Sequence, residues 1–203
     1  MGEEFLHYPL IMICNEAPAA AAKLPEGYRF QYYKNGMAED WCRIQYQAGA
    51  FDSMKAAEAL FEREFAPHQK LLKERMLFIL PAETSEDPAG TASLWIGDDF
   101  GEKRDRLHWL AVAPSHQGKG LAKALVAELI ACYREKGLGK GIYLTTQTES
   151  YKAINIYRQF SFEPSLAAIR KNAPDGQAFD EEQSRKAWQM TEKILSDYKA
   201  SSK

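Results

Sequence analysis

The stretch from Leu107 to Ala122 constrains the fold of this chain more than any other part of the sequence. It joins an apolar strand pattern, a proline, a glycine-containing turn and the start of an amphipathic helix. Gly118 and Gly120 allow main-chain N–H groups to approach an anion without an obstructing Cβ. The N-terminus of the helix adds unpaired N–H donors and partial positive charge. The segment predicts a strand–turn–helix unit that binds a pyrophosphate, with Lys119 as an additional cation.

Two other phosphate-binding motifs do not fit this turn. A P-loop places Ser or Thr after its lysine, whereas Gly120 follows Lys119. A dinucleotide-binding G-x-G-x-x-G fingerprint needs a third glycine where Lys123 stands. A glycine-containing loop without a ligand remains the alternative if the turn is taken alone.

Strand and helix patterns alternate along most of the chain. Strands are predicted at Tyr28–Tyr33, Met76–Leu80, Gly90–Ile96, Leu107–Ala113, Gly141–Thr146 and Ser161–Ile169. Helices are predicted at Met37–Ala48, from a Ser53 cap to Pro67, onward to Arg75, and at Leu121–Lys136, Tyr151–Phe160 and Asp180–Tyr198. This order predicts an α/β (α+β) fold built on one mixed sheet, in which the strands at 76–80 and 90–96 pair antiparallel. We expect a single domain over 1–203, with a core at about 27–170 and a helical tail at about 180–198.

Composition narrows the function classes. A formal net charge of −2 gives no electrostatic reason to expect nucleic acid or an anionic membrane as a partner. The apolar run Tyr8–Cys14 is too short to span a bilayer, and Gly2-Glu3-Glu4 lacks the positive charge of a signal peptide. Cys14, Cys42 and Cys132 show no C-x-x-C spacing, so we expect buried free thiols and no metal site. The chain is predicted to be cytoplasmic.

Two motifs together resemble one family. Gln117-x-x-Gly120-x-Ala122, after Val112-Ala113-Pro114, resembles the Q/R-x-x-G-x-G/A motif of the GCN5-related N-acetyltransferase (GNAT) superfamily. Ala153–Phe162 resembles its A-x-x-x-Y-x-x-x-G-F signature, in the right order after a strand. The resemblance covers roughly Phe30–Ile169. It implies a single GNAT-like domain with a mostly antiparallel sheet, split at the acetyl-CoA site and flanked by helices, and acetyl-CoA (coenzyme A) as co-substrate.

The resemblance also implies which residues contact the cofactor. In the family, a bulged strand pairs its backbone with the pantetheine arm, and the glycine turn holds the pyrophosphate. Carried onto this sequence, the cofactor-binding residues are Leu110, Ala111, Val112, Gln117, Gly118, Lys119, Gly120, Leu121, Ala122, Thr146, Ser150, Ile154 and Tyr157.

Direct acetyl transfer to a primary amine needs a neutral amine, donors for the oxyanion and a proton for the departing thiolate. The resemblance places Tyr157 near the coenzyme A sulfur as the acid; a core aromatic is the alternative. His108 matches a histidine of the arylalkylamine N-acetyltransferases that relays the amine proton, although Arg106 stands where their second histidine would be. A structural histidine is the alternative for His108.

By the same resemblance, the acceptor pocket comes from the segment after the first predicted strand. Its candidate substrate-binding residues are Trp41, Tyr46, Phe51 and Trp109. These aromatics favour a small amine with an apolar or aromatic body as acceptor. A protein lysine or N-terminal acetyltransferase, and a non-catalytic acyl-CoA-binding module, are the alternatives. A monomer and a homodimer both remain open.

The sequence departs from the family pattern at three places. Ser161 replaces the glycine before Phe162, and Ser150 stands where many members carry asparagine. The usual last strand is not evident, since 180–198 has a helical pattern. We hypothesise that Tyr8–Cys14 supplies a strand in its place.

Overall fold

The computed structural model describes residues 8–19, 23–83, 87–166 and 181–201. Within these ranges the strands are β1 Pro9–Cys14, β2 Tyr28–Tyr32, β3 Met76–Pro81, β4 Gly90–Gly97, β5 Arg104–Val112, β6 Ile142–Gln147 and β7 Glu163–Ser165. The helices are α1 Ala38–Gln47, α2 Met54–Glu64, α3 Gln69–Arg75, α4 Leu121–Glu135, α5 Tyr151–Arg158 and α6 Glu181–Ser201. Short 3₁₀ turns occupy Ala66–His68 and Pro114–His116.

The strands form one open seven-stranded sheet in the order β2-β3-β4-β5-β6-β1-β7. It is mixed and mostly antiparallel, with a parallel pairing of β5 and β6, and helices flank it. The predicted fold class is therefore confirmed, including the antiparallel pairing of β3 with β4.

The contacts of the chain divide it into two compact units. Unit A comprises 19–95 and 107–137; unit B comprises 1–18, 96–106 and 138–203. The predicted single-domain organisation stays a prediction.

Unit A holds the aromatic core under β2, β3 and β4. The Ser53 side chain accepts a hydrogen bond from the Ala56 N–H at 3.2 Å, which caps α2 as predicted. Trp41 and Phe65 are fully buried in this core. Pro67 lies in the 3₁₀ turn between α2 and α3, so the proline interrupts the helical pattern at the predicted place.

Helix α4 is the most apolar helix of unit A. Leu121, Leu125 and Leu129 are each at most 1% exposed, as their four-residue spacing predicts. The helix stops before Gly137, whose φ of +63° only glycine adopts without strain.

Unit B is organised around β1. This strand pairs antiparallel with β6, from Pro9 opposite Gln147 to Cys14 opposite Ile142, and with β7 on its other edge. The hypothesis that Tyr8–Cys14 supplies a strand is confirmed. Leu10, Ile11 and Met12 are successive buried residues, which shows that both faces of β1 are covered, and α6 packs against it.

Several boundaries differ from the predictions. Strand β5 begins at Arg104, three residues before the predicted start, because Asp105 and Arg106 pair with Ile142 and Tyr143 of β6 despite their charge. Helix α5 ends at Arg158, and β7 is confined to Glu163–Ser165. The predicted strand residues 167–169 and the helix start at Asp180 lie outside the described residues, whereas α6 confirms the helical tail from Glu181.

No helix in the described ranges has both the length and the apolarity needed to cross a membrane. The same ranges contain no group of three or more His, Cys, Asp or Glu side chains arranged to hold a metal ion.

Candidate active site

The phosphate turn of unit A consists of Gln117–Ala122. Its two glycines have φ values of +77° at Gly118 and +82° at Gly120, in the left-handed region. Gly120 is the N-cap of α4 and offers no side-chain acceptor to the first turn of that helix. The sequence therefore forms the strand–turn–helix unit that its glycines predicted.

The amides of this turn remain available to a ligand. Within the described part of the chain, the main-chain N–H groups from Gly118 to Ala122 donate to no protein acceptor. Residues Gln117 to Gly120 are exposed, so the donors of Gly118, Lys119 and Gly120 belong to residues that face solvent. Unpaired N–H groups at a helix N-terminus suit the negative charge of a diphosphate.

Gln117 secures the turn to the strand before it. Its Nε2 donates a hydrogen bond of 3.0 Å to the main-chain oxygen of Val112, at the end of β5. The glutamine side chain is therefore used to hold the loop, and the main chain is left to face the ligand.

The side chains of Tyr28, His116 and Lys119 form a cluster at the turn. The Tyr28 hydroxyl is 2.9 Å from Nδ1 of His116, and Lys119 Nζ donates to the same hydroxyl at 3.2 Å. Lys119 also lies 5.8 Å from the centroid of the Tyr28 ring. Tyr28 was not predicted to belong to the site, because only the fold brings β2 next to the turn.

Strand β5 carries a local distortion at Trp109. This residue has φ of +51°, a left-handed conformation that is rare for a bulky side chain within a strand. The buried Gln45 of α1 donates from Nε2 to the Trp109 main-chain oxygen at 2.8 Å, which stabilises this conformation. This left-handed residue is a local irregularity in the strand for which the family resemblance implied a bulge.

Glu64 joins two of the predicted site residues of β5, His108 and Trp109. Its Oε1 is 2.6 Å from Nε2 of His108, and Trp109 Nε1 donates to its Oε2 at 3.4 Å. The His108 side chain is 11% exposed and the Glu64 side chain 25% exposed. Sequence reasoning missed Glu64, because no motif includes it and its distance from β5 along the chain hides the contact.

Three of the four predicted acceptor-binding aromatics come together. The rings of Phe51 and Trp109 stack at 5.1 Å between centroids, and Trp41 meets Trp109 edge-on at 5.7 Å. Trp41 is fully buried, so it supports this stack from the core, whereas Phe51 and Trp109 are partly exposed. Tyr46 is 43% exposed, and among the described residues its ring does not contact the other three.

The second block of predicted site residues lies in unit B. Thr146 is partly exposed on β6 opposite Leu10, Ser150 is the N-cap of α5, and Ile154 is fully buried on that helix. Tyr157 is 8% exposed, and burial raises the pKa of its phenol. Among the described residues, this phenol has no hydrogen-bond partner, and it stays protonated at neutral pH.

The three cysteines are free and buried, as predicted. Burial raises the pKa of the Cys14 and Cys42 thiols to about 11 each. These two thiols are therefore protonated at neutral pH and poorly suited to act as nucleophiles.

The fold and the phosphate turn together define an α/β domain equipped to bind an anionic cofactor at a helix N-terminus. Residues 37–162 match the sequence profile of the Acetyltransferase (GNAT) family, which is more than half of the chain. The chain belongs to this family, whose members are acetyltransferases that generally use acetyl-CoA.

Curated relatives carry acetyltransferase names. The chain is 28% identical over 173 residues to a mycothiol acetyltransferase of Cellulomonas flavigena, which covers 77% of this chain and 47% of that protein. It is 34% identical over 83 residues to human N-acetyltransferase 8B, covering 40% of this chain and 36% of that protein. The chain thus spans less than half the length of each of these relatives.

The fold has solved counterparts. A GCN5-related N-acetyltransferase from Sphaerobacter thermophilus superposes with a TM-score of 0.55 at 21% sequence identity, over 78% of this chain and 49% of that one. At this identity the likeness concerns the fold alone.

Proposed function

We propose that this chain is an acetyl-CoA-dependent N-acetyltransferase that moves an acetyl group directly to a primary amine of a small molecule. The observation that carries the proposal is the row of unpaired main-chain N–H groups from Gly118 to Ala122 at the start of α4, of which the first three belong to exposed residues. Family membership gives the cofactor class, and the turn supplies the chemistry that a diphosphate requires.

In this proposal, different residues of the chain bind different parts of acetyl-CoA. The amides of the turn hold the pyrophosphate, and Lys119 adds a positive charge beside them. Leu110, Ala111 and Val112 offer main chain to the pantetheine arm after the bulge at Trp109. Thr146, Ser150, Ile154 and Tyr157 remain proposed contacts on the resemblance alone.

Three groups would serve the chemical step. His108 accepts the proton of the incoming amine, since an imidazole titrates near neutral pH and can act as a base there. A main-chain N–H of the bulged strand donates to the oxyanion that forms on the acetyl carbonyl. Tyr157 gives its proton to the departing thiolate, and the raised pKa keeps that proton in place until the transfer.

The aromatic group of Phe51 and Trp109 supports an acceptor with an apolar or aromatic body, because stacked rings offer surface to such a group. The name of N-acetyltransferase 8B supports nitrogen as the acceptor atom. We further propose that the domain works in the cytoplasm, where a reducing environment suits three free cysteines.

Isothermal titration with acetyl-CoA tests the cofactor site. We expect micromolar binding by the wild type and loss of binding by Gly120→Glu, whose carboxylate would repel the pyrophosphate. Gly137→Glu is the matched control, because this glycine lies at the other end of α4, also at positive φ and with open space around it. Binding that survives in Gly120→Glu, or no binding by folded wild type, would overturn the proposal.

Turnover is then measured on a panel of alkylamines, arylalkylamines, polyamines and a lysine-containing peptide. Acetylation of the small amines supports the proposed acceptor class. Acetylation of the peptide alone would replace it with a protein acceptor. Binding of acetyl-CoA without acetylation of any member would favour a non-catalytic acyl-CoA-binding module.

A further inference from the structure

The carboxylate of Glu64 occupies an unfavourable place for a negative charge. Glu64 is the last residue of α2, where unpaired main-chain carbonyls give the helix end a partial negative charge. Its neighbours Glu62 and Arg63 are exposed, whereas the Glu64 side chain is only 25% exposed. The contact with His108 and the hydrogen bond from Trp109 Nε1 offset this cost, which indicates a specific arrangement rather than a solvated helix face.

We propose that Glu64 is a positioning residue for His108, which fixes the tautomer and the direction of the proposed base. The proposal rests on the proposed function, since it assigns Glu64 a role through His108. An ionised carboxylate can only accept hydrogen bonds. The 2.6 Å contact therefore places a hydrogen on Nε2 of His108 and makes Nδ1 the ring nitrogen with a lone pair.

The proton balance of the step follows from this tautomer. The ammonium form of the amine loses one proton to Nδ1, which converts the neutral imidazole into an imidazolium and leaves a neutral amine to attack the acetyl carbonyl. The adjacent carboxylate stabilises the imidazolium by charge and by the Nε2–H hydrogen bond. As the amide forms, the C–S bond breaks, the nitrogen releases its second proton to solvent, and Tyr157 regains from solvent the proton that it gave to the thiolate. The imidazolium also returns its proton to solvent, so one proton is released overall.

Glu64 also links the base to the strand irregularity. The same carboxylate accepts from Nε1 of Trp109, and the Trp109 main chain is held in its left-handed conformation by Gln45. One side chain of α2 thus orients two consecutive residues of β5. Both contacts of Glu64 therefore lie on the proposed catalytic strand.

Steady-state kinetics of four variants test the proposal: Glu64→Gln, His108→Gln, the double variant and the control Glu62→Gln. The substrate is the amine with the highest turnover in the panel. For Glu64→Gln we expect kcat to fall about 10- to 100-fold, less than the roughly 100- to 10,000-fold that a general base itself contributes, because Glu64 acts through His108. The KM for acetyl-CoA should stay unchanged. The double variant should match His108→Gln alone, because the two residues act as one unit. Glu62→Gln should behave as wild type.

The outcomes separate this inference from the proposed function. Unchanged turnover in His108→Gln would remove the proposed base. A loss in His108→Gln without a loss in Glu64→Gln would overturn the role of Glu64 alone. Multiplicative effects in the double variant, with a raised KM for the amine in Glu64→Gln, would show that Glu64 binds the acceptor itself and would also overturn the proposal.

A measurement independent of activity completes the test. Nitrogen-15 NMR of the wild type, with His108→Gln to assign the signal, reports which ring nitrogen carries the hydrogen. We expect the Nε2–H tautomer in the wild type and a mixture of tautomers in Glu64→Gln. An Nδ1–H tautomer in the wild type would contradict the proposal even if Glu64→Gln failed to fold.

Discussion

Single residues decide where this chain tolerates an unfavourable backbone. Two non-glycine residues in the described ranges have positive φ: Trp109 at +51° and Ser161 at +61°. The first is held by a hydrogen bond from Gln45, whereas Ser161 is exposed and stands where the family signature has glycine. Ser161, which departs from the family pattern in sequence, is therefore also a strained backbone position in the structure.

We predict that Ser161→Gly stabilises the protein. Glycine adopts positive φ without the steric cost that a Cβ imposes. The strain relieved in the folded state outweighs the free-energy cost of the more flexible unfolded chain by about 0.5–1 kcal/mol. For a chain of this length that corresponds to a rise in Tm of about 1–4 °C in a thermal melt. Ser161→Ala is the control and should give no gain, since it keeps the Cβ. A lower Tm for Ser161→Gly would contradict the prediction.

Tyr157→Phe should lower kcat about 10- to 1000-fold, because the thiolate would leave without its proton donor. Burial raises the pKa of the Tyr157 phenol above its ordinary value of 10.0, so its ionisation should not reduce the rate at neutral or mildly alkaline pH. Steady-state kinetics check both expectations. Tyr151→Phe, on the same helix, is the control; equal rates for Tyr157→Phe and wild type would remove Tyr157 from the mechanism.

At the scale of elements, β1 shows how a strand near the start of the sequence can complete a sheet near its end. It lies between β6 and β7 and is antiparallel to both. Its side chains are buried on both faces, by Tyr143 and its neighbours around Ile11 and by packing of α6. Without β1, unit B would leave unpaired strand edges on β6 and β7.

Met12 provides the test of this arrangement. Met12→Asp would bury an unpaired carboxylate at a fully buried position and should cost at least about 3–5 kcal/mol. A thermal melt should show a loss in Tm of about 10 °C or more, or an unfolded chain. Met12→Leu nearly conserves volume and should cost less than about 1.5 kcal/mol. If both variants melted like the wild type, β1 would not belong to the core.

For the whole molecule, the proposed functional residues are distributed over distant parts of the chain. The phosphate turn, His108, Trp109 and Glu64 belong to unit A, and Tyr157 belongs to unit B. The chain spans less than half of the relatives that carry acetyltransferase names, so their activities enter here as proposals. The fold nevertheless accommodates the family motifs in their expected order.

The sequence by itself determined the features that depend on neighbours along the chain. Glycines at 118 and 120 before an apolar helix specify the phosphate turn, and the four-residue spacing from Leu121 specifies the buried face of α4. Ser53 specifies the cap of α2. Each of these is a short-range effect of backbone freedom, helical period or capping, and the structure reproduces each one.

Only the tertiary structure decided which distant residues meet. Glu64 bonds to His108 across 44 positions of the chain, Gln45 bonds to Trp109 across 64, and Tyr28 bonds to His116 across 88. The place of β1 between β6 and β7 is of the same kind. The position of a polar residue in the sequence does not predict its hydrogen-bond partner. The edge of a strand can likewise pair with any strand of suitable register, so the sequence does not predict the neighbours of β1. Packing of the complete chain was therefore needed to show that a glutamate outside every motif contacts the proposed base.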